Sequence, residues 1–210
     1  MCRTRTVKSL VKELSCVDRL TIEEHFLELA GADRRMRFGG GLDDVAVRSY
    51  VANIDFDRDA VFGVLDDELQ LIAAAHLARD DRHAEIGVSV LPEHREQGIG
   101  DSLLRRGYVH ARNWGVGKLF MHCLTENSSM MHLARKNGMD IAAASGEADA
   151  FLSLAPPNTM TYMSEVFEQR IALADYLLKS HLAWARRVAF TFSAGAALDQ
   201  SMFAGDNRPT

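Results

Sequence analysis

Seven consecutive residues carry the densest chemistry in this chain: His94-Arg95-Glu96-Gln97-Gly98-Ile99-Gly100. Two glycines two apart let a backbone turn tightly with its N–H groups converging, and a helix opening there adds the positive end of its dipole. Such a turn can hold a pyrophosphate with few side-chain charges. Gly98 and Gly100 make the turn, and Arg95 is the ready counter-charge.

The flanking sequence must position that turn. From His83 to Val90, Ala84, Ile86, Val88 and Val90 share one face while His83, Glu85, Gly87 and Ser89 share the other, the pattern of a half-buried strand with a small, polar second face. After the turn, Ile99, Leu103, Leu104, Tyr108, Ala111 and Trp114 recur at helical spacing, and Gly115 stands where a left-handed C-terminal cap is wanted. The order is strand, glycine turn, helix. A dinucleotide-binding unit has the same order, but it needs a third glycine, a short strand-to-helix link and an acidic residue closing the next strand. Here Asp101 and Ser102 follow Gly100, and the link contains Pro92 and several polar residues.

Arg95-Glu96-Gln97-Gly98-Ile99-Gly100 resembles the Arg/Gln-x-x-Gly-x-Gly/Ala signature of the GNAT superfamily of acyl-CoA N-acetyltransferases. Leu119 to Leu124 reads as the following apolar strand, and the stretch from Asn127 to Met139 resembles the family's next helix, opened by Asn and closed by Gly138. The resemblance implies an α+β fold, an α/β sandwich-like arrangement. Its mixed, mostly antiparallel sheet has splayed parallel strands 4 and 5 and flanking helices. It also implies acetyl-CoA as acyl donor, with backbone N–H groups from Gln97 to Ser102 (Gln97, Gly98, Ile99, Gly100, Asp101, Ser102) and Arg95 on the pyrophosphate. The Val88 and Val90 backbone would lie along the pantetheine arm, the Val90 N–H would serve as oxyanion donor, and Asn127 and Met130 would stand near the coenzyme.

Acyl transfer to an amine also needs a base for the ammonium proton and an acid for the departing thiolate. Glu85 is the expected base, directly or through water, with His83 two residues away on the same face able to share the proton; a solvated carboxylate paired with Arg79 or Arg82 is the competing reading. Many relatives of this type carry a tyrosine seven residues after the helix-opening Asn, but that position here is Ala134, leaving Tyr50 and Tyr162 as phenols of unassigned place. An alternative function follows from that gap: a non-catalytic acyl-CoA-binding or regulatory protein. His122 and Cys123 are adjacent in a strand and point to opposite faces, so they make no catalytic pair, and no histidine or cysteine spacing suggests a metal. Arg34, Arg35 and Arg37 could bind an anionic substrate or the adenosine phosphate, but the run reads rather as a solvated loop.

The remaining chain assigns a first strand within residues 7–14. A helix follows from the Thr21-x-x-Glu24 capping box to Leu29, a glycine break comes at 39–41, and a second helix spans about residues 43–53. Paired strands at 56–65 and 69–78 and two more at 141–144 and 150–154 complete the sheet. Pro156-Pro157 marks a boundary. Residues 1–157 are read as the acetyltransferase domain, 158–190 as a helical extension spanning roughly 45 Å, and 191–210 as a flexible tail. Met163, Val166, Phe167, Ile171, Leu178 and Leu182 form an apolar stripe on that helix, which suggests docking on the domain or a homodimer. A net charge of −5 disfavours a nucleic-acid partner, and three unspaced cysteines suit the reducing cytoplasm; the expected acceptor is a small-molecule amine or a protein amino group, with no membrane and no metal.

Overall fold

The computed structural model describes the backbone of residues 9–203 and the side chains up to Arg186. Seven strands form one sheet in the order β1-β2-β3-β4-β5-β7-β6. They are β1 (Lys12–Leu14), β2 (Ala60–Leu65), β3 (Leu71–Arg79), β4 (His83–Val90), β5 (Lys118–Leu124), β6 (Asp140–Ala144) and β7 (Glu147–Ser153). All neighbours are antiparallel except β4 and β5, which run parallel. This is the mixed α+β sheet expected from the sequence. Strand β1 is shorter than predicted, Val7 and Lys8 lie outside the described residues, and β2 begins at Ala60 rather than Phe56.

Helices cover both faces. On one side α1 (Arg19–Glu28), α2 (Gly31–Phe38) and α3 (Asp44–Ala52) bury Ile22, Phe26, Val47 and Val51 against Val61 and Ala74. On the other, α4 (Ile99–Asn113) and α5 (Ser128–Lys136) bury Ile99, Leu103, Leu104 and Ala134 against Phe62, Leu77, Ile86 and Met121. The predicted start of the first helix is corrected. The Asp18 carboxylate accepts the Ser15 N–H at 2.8 Å, a short 3-10 turn at Cys16–Asp18 runs straight into α1, and Thr21 lies inside its first turn. The larger correction is α2, since the arginine-rich stretch read as a loop is a helix. Arg34 fixes it by donating to Leu29 O at 2.9 Å, to Leu27 O at 2.5 Å and to the Asp44 carboxylate at 2.6 Å.

Helix α6 (Thr159–Phe203) has 45 residues, about 67 Å at 1.5 Å per residue, and continues past the predicted end near Ala189 into the segment read as a tail. One interior glycine costs only about 1 kcal/mol relative to alanine, and Gly195 lies among alanines. The helix docks by its polar side. Arg106, 2% exposed, donates to Glu165 at 2.7 Å and to Glu13 at 3.3 Å while stacking over Phe62; Glu165 also takes hydrogen bonds from His110 and Asn113. Further along, Lys179 reaches Leu65 O at 3.0 Å, and Ala172 is buried. The apolar stripe therefore faces outward, with Met163, Val166, Phe167, Ile171, Leu178 and Leu182 exposed. Glu13, His110 and Glu165 bring three potential ligand atoms within 4.8 Å of one another, but the Arg106 guanidinium already supplies the cation between the two carboxylates. No helix among the described residues is long and apolar enough to cross a membrane.

Burial pushes the Glu165 carboxyl up, and the hydrogen bonds from His110 and Asn113 with the charges beside it overcome that and hold it down at about 2. Its folded value lies below the ordinary 4.5, so its stabilising effect is full above that pH and is lost as pH falls toward about 2. Thermal melts from pH 6 to 2 should show wild type losing its advantage over Glu165→Gln in that window. A constant difference across it would refute the assignment.

Candidate functional site

The central feature is a split in the sheet. Strands β4 and β5 pair only at His83–Lys118, Ala84–Leu119 and Glu85–Phe120, and beyond Glu85 they separate while each keeps its outer neighbour. The Leu91 N–H bonds to Ile72 O at 3.0 Å, and an antiparallel ladder alternates, so the N–H and C=O groups of Val88 and Val90 face away from β3 into the gap. These are main-chain groups inside a sheet that lack a strand partner on one side. Arg95 Nε takes one of them, the Val90 carbonyl, at 3.1 Å.

At the open end of the gap stands the glycine turn. Glu96 and Gly98 both adopt positive φ, 61° and 81°, which folds the backbone into a concave nest at the start of α4. The first helical bond runs from Ser102 N to Gly98 O at 3.1 Å, so the N–H groups of Ile99, Gly100 and Asp101 precede any helical acceptor. A side chain at Gly100 would meet only ordinary contacts, Leu133 at 3.6 Å and Val90 at 3.9 Å. Folding does not demand glycine there, so close approach by a ligand is the remaining physical reason.

The gap and the turn open into one cleft of about 880 Å³. Val88, Val90, Arg95, Gly98, Ile99, Gly100, Asp101, Asn127 and Met130 line it, as the sequence suggested; Gln97 and Ser102 do not, because Gln97 turns to Glu93 O and the Ser102 hydroxyl to Gly98 O. Asn127 caps α5 by accepting Met130 N–H at 3.1 Å. Burial pushes the Asp101 carboxyl up, but hydrogen bonds from Asn137 and Lys136 keep it below the usual carboxylate range, tying α4 to α5. Arg95 is not a free counter-charge: it pairs with Asp33 of α2 at 2.7 Å.

Helix α2 is what sequence reasoning missed. Asp33, Met36 and Arg37 line the cleft, Arg35 pairs with Glu126 beyond β5, and Asn127 donates to Met36 O at 3.4 Å, so α2 bridges both lips of the split. Behind it lie two buried histidines. His25 Nδ1 donates to Leu71 O at 2.7 Å and its Nε2 accepts the Ser89 hydroxyl at 2.8 Å. His76 joins the Tyr50 hydroxyl at 2.6 Å to Asp59 at 3.3 Å. Burial first, with the charge of Arg37 adding to it, lowers both imidazoles to about 4 and keeps them neutral.

Glu85 and His83 occupy a second, shallower cleft with Phe120, His122 and Asp149, on the same face but beyond Gly87. Glu85 is exposed, and His83 lies beside Asp80 at 3.4 Å. Ala134 is buried in the core, and its neighbour Leu133 faces the cleft. Tyr162 donates to Asn113 O at 3.0 Å against α4, outside the cleft. Cys123 is a buried thiol 3.7 Å from the Met131 sulfur, raised by burial, and takes no part in the site.

A sequence search of curated proteins gives no match. Solved structures similar in fold include phosphinothricin acetyltransferase from Sinorhizobium meliloti in complex with AcCoA, at 17% identity over 73% of this chain and 95% of that one, with a TM-score of 0.59. Spermidine N-acetyltransferase from Vibrio cholerae, in complex with CoA and spermine, aligns at 19% identity over 68% and 94%, TM-score 0.55. The ribosomal-protein-S18-alanine N-acetyltransferase from Escherichia coli aligns at 16% over 71% and 96%, TM-score 0.54. The family model described as the acetyltransferase (GNAT) family matches residues 26–139, the stretch that contains α2, the split strands, the glycine turn and α5. The chain belongs to the GNAT acetyltransferase family.

Proposed function

We propose that this protein transfers the acetyl group of acetyl-CoA to a primary amine by direct attack. The observation that carries the reading is the split between β4 and β5 opening onto the amides of Ile99, Gly100 and Asp101. An extended amide-bearing arm can replace the missing strand along Val88 and Val90, and the dipole of α4 favours the diphosphate at its end. Two of the similar structures hold CoA or AcCoA, which supports the same donor here. One of these is named for a polyamine and a third similar structure for a ribosomal protein, so an amine acceptor, small or protein-borne, fits the family's range.

In the proposed step the amine nitrogen bonds to the thioester carbonyl carbon, the N–H of Val90 stabilises the oxyanion, and collapse breaks the C–S bond. The nitrogen's proton passes through water to Glu85, with His83 beside it, and the thiolate leaves with a proton from solvent. No phenol lines the cleft, which favours a second reading: a protein that binds acyl-CoA without turning it over. The free thiols of Cys16 and Cys123 fit a reducing compartment, and a cytoplasmic location is part of the proposal. A second copy covering the outward stripe of α6 is part of it too, since the helix already spends its polar side on the domain.

Gly100→Val should change stability by less than about 1 kcal/mol and raise the acetyl-CoA Kd more than roughly tenfold; calorimetry showing unchanged affinity would remove the turn from the coenzyme site. Glu85→Gln should lower kcat by roughly 100-fold and flatten its pH profile with coenzyme affinity preserved. Full activity would exclude Glu85. An amine panel that releases no CoA above hydrolysis, while acetyl-CoA still binds, would establish the non-catalytic reading. Sedimentation should show a dimer that Leu178→Glu converts to monomer; a wild-type monomer at all concentrations would refute the pairing.

A further inference from the structure

Arg37 is a cation without a counter-charge. Its guanidinium lies over three aromatic rings, with centroids at 4.9 Å for Phe38, 5.5 Å for Phe26 and 5.8 Å for Tyr50. One Nη donates to the Tyr50 hydroxyl at 3.2 Å, and Nε is buried with no partner. Among the described residues no carboxylate lies within 4.0 Å of it, whereas Arg95 and Lys136 on the same cleft are each paired with an acid. A partly buried guanidinium without a counter-charge is costly unless an anion completes it.

The fold holds this charge in place. The guanidinium lies on Gly87 of β4, where an added methyl group would collide with Cζ and both terminal nitrogens, so the missing side chain is the seat of the cation. Arg37 lines the main cleft, yet Gly87 is three residues before Val90, about 10 Å along the strand and farther still from the amides that would hold a diphosphate. The coenzyme's negative charges therefore belong at the other end, and its thioester carries none.

We propose that Arg37 binds a carboxylate on the acceptor, so that the preferred acceptor is an amino acid whose amine reaches the thioester while its carboxylate rests on the guanidinium. This deepens the transferase reading and rests on it for the amine. The planar fork matches a carboxylate bidentately, and the aromatic surround makes the pairing stronger than it would be in water. Tyr50, itself anchored by His76 and Asp59, fixes the orientation of the fork.

The test titrates the proteinogenic L-amino acids and their methyl esters into the CoA-loaded protein, and separately measures CoA release with acetyl-CoA. The free acids should bind, and turn over by kcat/KM, at least tenfold better than their esters. Arg37→Met, which keeps an apolar stem among the rings, should raise KM for the acid tenfold or more while leaving the ester within twofold. Gly87→Ala, which keeps the charge but displaces it, should reproduce that loss. Equal use of acid and ester by wild type, or an equal loss on both in Arg37→Met, would overturn the proposal. Acid-selective, Arg37-dependent binding without CoA release from any acceptor would uphold the anion site and refute the transferase reading instead.

Discussion

The protein is organised around a sheet that is not allowed to close. Three residue pairs join β1–β4 to β5–β7–β6, and beyond Glu85 and Phe120 the two halves diverge. Main-chain groups left open inside a sheet are unfavourable, so the split persists only because each side is held elsewhere. Strand β4 is paired along its length with β3, and β5 with β7. Above the gap α2 packs on both β4 and β5, and below it Gly107 of α4 lets that helix approach so closely that any side chain there would strike Ile86. The opening is thus a product of packing on both faces, and its unsatisfied edge is what an extended ligand can complete.

Charge is distributed along the opening in a consistent way. At the glycine-turn end the cations are already neutralised, Arg95 by Asp33 and Lys136 by Asp101, so the attraction for a diphosphate comes from oriented amides and the α4 dipole. The Asp33–Arg95 and Arg35–Glu126 pairs also fasten α2 across the lips of the split. Exposed pairs of this kind are worth little individually, about 0–1 kcal/mol, so α2 is held mainly by Phe38 among Phe26 and Tyr50 and by the backbone bonds of Arg34.

What the sequence made legible follows from the range of the forces involved. Strand β4, the glycine turn and α4 are written in local alternation, conformational need and helical period, and Asn127 announces its own cap. Helix α2 has no such local pattern: half of Gly31 to Phe38 is charged, and it is helical because Arg34 finds carbonyls at residues 27 and 29 and an acid at 44. His25 and His76 were silent for the same reason, since nothing near either in sequence foretells Ser89, Leu71, Tyr50 or Asp59. Gly87, read as one small residue on a polar face, acquires its meaning only when Arg37 arrives from fifty residues upstream. The stripe on α6 was correctly seen as apolar. Which side would dock was not legible, because Glu165 is chosen by the buried Arg106 rather than by hydrophobicity.

The position of Arg37 also bears on the proton. A lone positive charge beside a bound amine disfavours its ammonium form; an acceptor that brings its own carboxylate onto Arg37 would cancel that repulsion, so under the proposal the guanidinium positions the acceptor and leaves deprotonation to other groups. The two histidines behind the site stay neutral and add no further repulsion. Glu85, two residues along β4 from Gly87 and on the same face, stands on the far side of that cation, so in the proposed transfer a proton released from the amine would move toward negative charge through solvent rather than through the packed core.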